Sequence, residues 1–320
     1  MAQHFLLSSQ ARTLSLKAIY AAGEDKAYET FCKLRWSATD GAPVCPHCGG
    51  LDAYKITTRC RFKCKSCDKQ FSVTSGTILA SRKMSFVDLL AAICILANAS
   101  KGISALQLAR NLDCQHKTAF VLAHKIREAL AAETKGMSLF GEVEVDGMYH
   151  GGHIRPANLA DNRIDRRLAK HQTGKRRVVV AFRQRKGRTL PFVVREEGEG
   201  VELAKRVVDR LAVIHADEAS HWDVLHNGWM TLRINHSEAY STPEGCTNQA
   251  ESYFSRLRRM VRGQHHYVSP QYLHHYASHA AWLEDHRRLD NGALAHRALG
   301  LALGHKVSPN WKGYWQRSAA

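Results

Sequence analysis

Two pairs of cysteines restrict what this chain can fold into more than any other feature. Cys45-Pro46-His47-Cys48 is followed by Cys64-Lys65-Ser66-Cys67, a C-x2-C-x15-C-x2-C spacing. Each pair makes a tight knuckle that aims two sulfurs at one point, and two knuckles make a four-thiolate zinc site. Cys45, Cys48, Cys64 and Cys67 are therefore expected to hold one Zn2+. Tyr54-Lys55-Ile56 and Arg61-Phe62-Lys63, between the pairs, suit the short strands of a ribbon. A unit this small buries little apolar surface, so the metal has to supply its folding energy. Cys32, Cys60, Cys94, Cys114 and Cys246 lack partners at ligand spacing and are expected as buried residues. No βαβ pattern surrounds either pair, which argues against a thioredoxin-like redox role.

Charge and hydropathy narrow the partner. Lys and Arg number 46 against 29 Asp and Glu, a net charge of +17, with 19 His besides. That excess favours a polyanion. No basic amphipathic helix with a bulky apolar face is visible, so nucleic acid is preferred to a membrane surface. No apolar run approaches the ~20 residues needed to span a bilayer. The stretch from Met1 to Lys17 has no signal-peptide pattern, so an intracellular, cytoplasmic protein is expected.

The pattern divides the chain into five parts. Residues 1–40 read as an N-terminal helical segment with pieces of short helices, and residues 41–75 as the zinc ribbon. Residues 80–135 read as helices: one from Phe86, capped by Ser85 with Asp88 three residues on, a short one over Ser104–Arg110, and a third over Lys117–Leu130. A short helix, a turn at Asn111–Cys114 and a following helix that carries Lys117 and Lys125 have the layout of a helix-turn-helix, so both lysines are expected to contact DNA. Residues 141–292 form the largest unit and residues 293–320 a C-terminal tail.

Within that unit, Gly141 to Tyr149 alternates strictly, with Val143 and Val145 on one side and Glu142, Glu144 and Asp146 on the other. Alone, such a polar face is expected to meet water, with Asp146 at the rim where the run ends in Gly147. A basic insert over 150–174, including Arg163, Arg166, Arg167 and Lys170, is expected to touch phosphates. Strands are predicted over 177–182 and 189–194 around a Lys186-Gly187-Arg188 turn, then a helix over 201–211. A strand over 212–216 ends at Asp217, another covers 232–236, and a long helix starts near Thr247 or Asn248. This order, α/β with a mixed sheet, is that of a ribonuclease-H-like fold. There the first and fourth strands lie side by side, which brings Asp146 to Asp217, while the final helix offers Glu251 or Asn248, three apart and on one face. Such an oxygen-rich set suits Mg2+ or Mn2+ and two-ion phosphodiester chemistry. Arg256, Arg258, Arg259 and Arg262, along the same helix, are expected to meet DNA phosphates.

Taken together, several motifs resemble one family. They are Val143 to Tyr149 with Gly151-Gly152, His215-Ala216-Asp217-Glu218 with Trp222, Ile234 to Ser237, Thr247 to Arg259, and Gly263-Gln264-His265-His266. With the zinc ribbon and Phe71 to Thr77 after it, they resemble bacterial transposases of insertion-sequence family 1595, over about Cys45 to Gly292. The resemblance implies metal-dependent cleavage of double-stranded DNA at the terminal inverted repeats of an element and transfer into target DNA. It implies a homo-oligomer on DNA, associated with the nucleoid. It makes Asp146 and Asp217 catalytic, with Asn or Glu third. Asn248 and Glu251 are both present, and Glu251 is preferred because a carboxylate binds Mg2+ better than an amide. The chain departs from the family pattern at Met260-Val261-Arg262, and at His279 and Leu283, where Glu and Arg are expected. Those departures keep a second function open, a DNA-binding protein derived from a transposase whose catalytic unit is inactive.

Overall fold

The aromatic residues around the cysteine knuckles show how the chain begins to organise. In a computed structural model that describes residues 5–152, 156–165, 171, 174–234 and 246–317, strands β1 (Ala53–Ile56), β2 (Arg61–Cys64) and β3 (Gln70–Phe71) form an antiparallel ribbon. Trp36 packs edge-on against Phe62 and Phe71, with ring centroids 5.6 and 6.3 Å away. Trp36 follows helix α1 (Leu16–Arg35), which the sequence suggests only as short pieces. The helix is continuous except at Gly23, whose φ of 77° breaks the helical path. Only glycine adopts such a conformation without strain, so α1 bends there rather than ending.

The chain forms two compact units, Met1–Glu133 with His286–Ala320, and Thr134–Asp285. The first contains the ribbon and the helices α2 (Phe86–Asn98), α3 (Ala105–Asn111) and α4 (His116–Ala131), as the periodicity predicts. Ser85 Oγ accepts from Asp88 N at 2.9 Å, and Ser104 Oγ from Gln107 N at 3.1 Å, so each helix starts on a side-chain cap. The Glu24 carboxylate of α1 also accepts from Phe86 N and Val87 N at 2.9 and 3.0 Å. The C-terminal stretch, expected as a tail, forms α8 (Asn291–Gly304), whose Ala295, Ala298, Leu299, Ala302 and Leu303 are buried against α1, α2 and α4. Small residues at helical spacing let α8 approach its neighbours closely, which its low bulk hid in the sequence.

The second unit is built on a five-stranded sheet of order β6-β5-β4-β7-β8. Its strands are β4 (Glu142–His150), β5 (Arg177–Gln184), β6 (Thr189–Val194), β7 (Val213–Asp217) and β8 (Met230–Ile234). β4 pairs antiparallel with β5 and parallel with β7, so the first strand is central and the fourth lies beside it. This is the ribonuclease-H-like arrangement expected from the element order. Val143, Val145, Val178, Val180, Phe182 and Ile214 meet Trp222, Leu225 and Val201 on one face. On the other, helices α6 (Asn248–Met260) and α7 (Leu273–Asp285) cover β4, β5 and β6. β5 is therefore buried on both sides, from Val178 to Arg183.

Three details differ from the sequence expectation. Helix α5 (Gly200–Val207) is shorter than 201–211, because Val208 turns extended and bridges to Leu139. β8 starts two residues earlier than expected, and Asn235 and His236 lie outside the described residues, as do Arg166, Arg167 and Lys170 of the basic insert. β4 does not end at Gly147 but continues in register with β5 to His150.

Candidate functional site

The four cysteine sulfurs lie within 4.8 Å of one another, the one such group of three or more metal-ligating side chains among the described residues. Cys45 and Cys67 Sγ are 3.7 Å apart, and Cys48 and Cys64 Sγ 3.6 Å. With a Zn–S bond of about 2.3 Å, tetrahedral geometry puts the sulfurs about 3.8 Å apart, so the cluster is shaped for zinc. Backbone N–H groups of Cys67 and Ser66 aim at the Cys64 sulfur and hold its pKa down to about 6, favouring the thiolate that binds metal. Of the remaining cysteines, Cys94 is buried as expected. Cys60 is exposed, and Cys32, Cys114 and Cys246 are half-buried.

The second site forms where β4 and β7 part. Their parallel register pairs Glu142 with Val213 and Glu144 with His215. The same register carried two residues further sets Asp146 level with Asp217, the last residue of β7. Arg233 of β8 fixes the chain there, its Nε donating to Asp217 O at 2.5 Å and its Nη2 to Ala219 O at 2.9 Å. Ala219 N in turn donates to Asp217 Oδ1 at 3.2 Å.

The polar face of β4 is not solvated as the alternation alone suggests. Glu144 is fully buried beneath α6. Its Oε2 accepts from Gln249 N and Ala250 N at 2.8 and 2.9 Å, and its Oε1 accepts from Arg185 Nε at 3.1 Å. The carboxylate satisfies two of the unpaired N–H groups at the start of α6 and matches the positive end of its dipole. Burial raises the Glu144 pKa, and the two N–H donors oppose that shift. Asn248, the first residue of α6, is exposed, whereas Glu251 one turn on is half-buried.

Asp146 feels all of this. Burial raises its pKa to about 7, and the nearby charges of Asp217, Glu197 and Glu251 push the same way, while Gly147 N, which donates to its Oδ1 at 2.7 Å, lowers it. Glu197 is a carboxylate that sequence reasoning missed. It lies between β6 and α5 in a turn held by Glu199, whose Oε1 accepts from Arg195 N and Glu196 N. It is buried, with His221 Nε2 3.7 Å from its Oε1. A Cβ on Gly147 would come 2.0 Å from Glu197 Oε1, so this glycine is what admits the side chain. No local motif marks Glu197. Its nearest signal is an acidic run, Glu196-Glu197 with Glu199, between a strand and a helix.

The basic residues named from the sequence separate into different environments. Arg258, Arg259 and Arg262 are exposed on and just beyond α6. Arg256 is half-buried, its Nε 2.9 Å from Oε2 of the buried Glu284. It braces α6 against α7, where the sequence suggested a phosphate contact. Lys117 is exposed at the start of α4, while Lys125 is half-buried two turns on. His279 and Leu283 are buried residues of α7. Among the described residues no helix is long and apolar enough to cross a membrane.

The comparison with known proteins follows the same division. The ISXO2-like transposase domain matches residues 138–285. The transposase zinc-ribbon domain matches residues 22–70, beginning within α1, well before the first cysteine. No curated protein matches the chain. Both matched domains are those of insertion-sequence family 1595, which the motifs resemble, and the chain belongs to that family as an insertion-sequence transposase.

Proposed function

We propose that this transposase cuts DNA at the ends of its element and joins them to target DNA, using Asp146, Asp217 and Glu251 to hold Mg2+ or Mn2+. The observation that carries the reading is the convergence of acids around the parting of β4 and β7. The charges of Asp217, Glu197 and Glu251 all act on Asp146 and push its pKa the same way as burial does. Such mutual repulsion in a half-buried place is relieved by a divalent cation, and an ion that keeps several waters needs only one or two carboxylates directly. When bound, divalent ions activate an oxygen nucleophile and stabilise the leaving oxygen. The chain's part is to fix the ligands. Asp146 stands on a central strand, Asp217 is clamped by Arg233, and Glu251 rides on a helix whose start is held by Glu144. With a pKa near 7, Asp146 gives up its proton readily at neutral pH once positive charge is near. Between Glu251 and Asn248, the carboxylate is preferred, since Glu251 shares the field of Asp146 and the amide carries no charge to do so. Exposed Arg258, Arg259 and Arg262 are suited to phosphates of the DNA backbone. The departures at His279 and Leu283 sit in the packing of α7 and leave these acids in place, which favours an active enzyme over an inactive DNA-binding protein.

The test is Mg2+- or Mn2+-dependent nicking of a fragment that carries the element end, beside a gel-shift control. Asp146→Asn and Asp217→Asn are expected to lower nicking by at least about 10²-fold while retaining DNA binding. Glu251→Gln should match them, Asn248→Ala should be milder, and Glu197→Gln should weaken Mn2+ affinity. Nicking that survives Asp146→Asn removes the assignment. DNA binding without nicking in the unaltered protein turns the conclusion to the inactive, DNA-binding alternative.

A further inference from the structure

A groove in the first unit uses residues that neither the zinc ribbon nor the acidic site explains. It begins with the chain beyond α8. Ser308 Oγ accepts from Asn310 N and Trp311 N at 3.2 and 3.3 Å and donates to Glu128 Oε2 at 3.0 Å, which pins a tight turn to α4. Trp311 stacks on His124 with centroids 4.5 Å apart. Phe120 of α4 then meets the rings of Tyr314 and Trp315, each 6.0 Å away. The Trp315 indole N–H donates to Lys117 O at 3.3 Å, and the Lys117 ammonium lies 5.2 Å from the ring centre. Two half-buried rings are thereby fixed beside one face of α4.

Between these rings, that face and the segment 79–84 lies a groove of about 520 Å³, within the size range of small-molecule sites (about 300–1,000 Å³). Four cations line it, Arg82, Lys83, Lys117 and Lys125, and no acidic residue does. Lys117 and Lys125 are eight apart on α4 with Val121 between them, so they share a face. Arg82 is already engaged, over the Phe86 ring at 3.4 Å. Lys125 has no acidic partner in an ion pair among the described residues, and burial lowers its pKa, so a bound anion would relieve it.

We propose that this groove takes one unstacked nucleotide of single-stranded DNA, its phosphate met by Lys125 and Lys83 and its base lying against Trp315 and Tyr314. Basic grooves with aromatic rings are how proteins hold single strands without reading sequence. In a duplex each base is covered by its neighbours and offers only edges, so rings inside a groove find no partner there. The proposal rests on the DNA-binding reading of this protein for the identity of the polymer alone.

The test uses the full, zinc-loaded chain, a short oligothymidylate, a duplex of equal length and inorganic phosphate. The oligothymidylate is expected to quench tryptophan fluorescence and to bind more tightly than phosphate. Lys125→Gln and Trp315→Ala should each lower the ratio of single-strand to duplex affinity about tenfold, and Trp315→Phe should recover most of the loss. Zinc content and melting temperature check that each variant is folded. An unchanged ratio in both folded variants, or phosphate bound as tightly as the oligonucleotide, overturns the proposal while leaving duplex binding intact. Failure of the unaltered protein to bind either polymer overturns it together with the DNA-binding reading.

Discussion

At the scale of single residues, this protein twice uses a carboxylate from one element to start a helix that belongs to another. Glu24 receives the first N–H groups of α2, and Glu144 receives those of α6. The second case is the more consequential, because α6 carries Glu251 and Thr247 supplies no side-chain cap of its own. Glu144→Ala would leave two helix N–H groups and part of the Arg185 guanidinium without their acceptor. Loss of a cap costs about 1 kcal/mol and loss of a buried charge partner more, so a drop of roughly 2–3 kcal/mol in unfolding free energy is expected. Urea denaturation of the purified variant measures it, and a change below about 0.5 kcal/mol would show that water replaces the carboxylate. The strict alternation of β4 made the side of Glu144 legible, and with it the neighbourhood of Asp146 and Asp217. What covers that side was not legible, because the covering helix comes about a hundred residues later and strand periodicity carries no information about it. Glu197 was hidden for a related reason. Its relation to Asp146 exists only in the folded unit, through the space that Gly147 leaves on β4.

At the scale of elements, the ribbon depends on its knuckles more than on its strands. Its apolar content is essentially Trp36, Phe62 and Phe71, too little to outweigh the entropy of ordering the chain. Purified protein is expected to hold one zinc ion per chain, and the double change Cys45→Ala, Cys64→Ala to hold none. Chelation should melt the ribbon and shift Trp36 fluorescence toward that of an exposed indole. Unchanged zinc content in the double variant, by metal analysis, would refute the four-cysteine assignment. Element types were well read where periodicity was strong, as in α2 to α4, β5 and β6. Boundaries slipped where a residue left its element for a tertiary partner, as Val208 does in bridging to Leu139. α1 is expected only as short pieces, whereas the structure joins them in one helix whose path breaks at Gly23 and then resumes.

At the scale of the whole molecule, the net charge of +17 makes DNA affinity depend on salt. Each phosphate neutralised releases counterions and adds about 0.9 to the slope of log affinity against log salt. A titration over low to moderate salt should give a steep line, and replacement of exposed Arg258 or Arg259 by Ala should lower its slope by about one or less. A flat line would contradict a backbone-dominated contact. The unit that contains the transposase domain, Thr134–Asp285, interrupts the chain of the other unit, whose core includes α8. This discontinuity has a consequence for synthesis. While the ribosome is still producing the transposase domain, α1, α2 and α4 have no α8 to pack against, and the parts of their apolar faces that α8 covers stay exposed. The unit that carries the zinc ribbon can therefore finish folding only after the intervening domain and α8 have been synthesised. A nascent or prematurely terminated chain is left with an incomplete core, prey to proteolysis. Synthesis through α8 thus becomes a condition for a stable first unit.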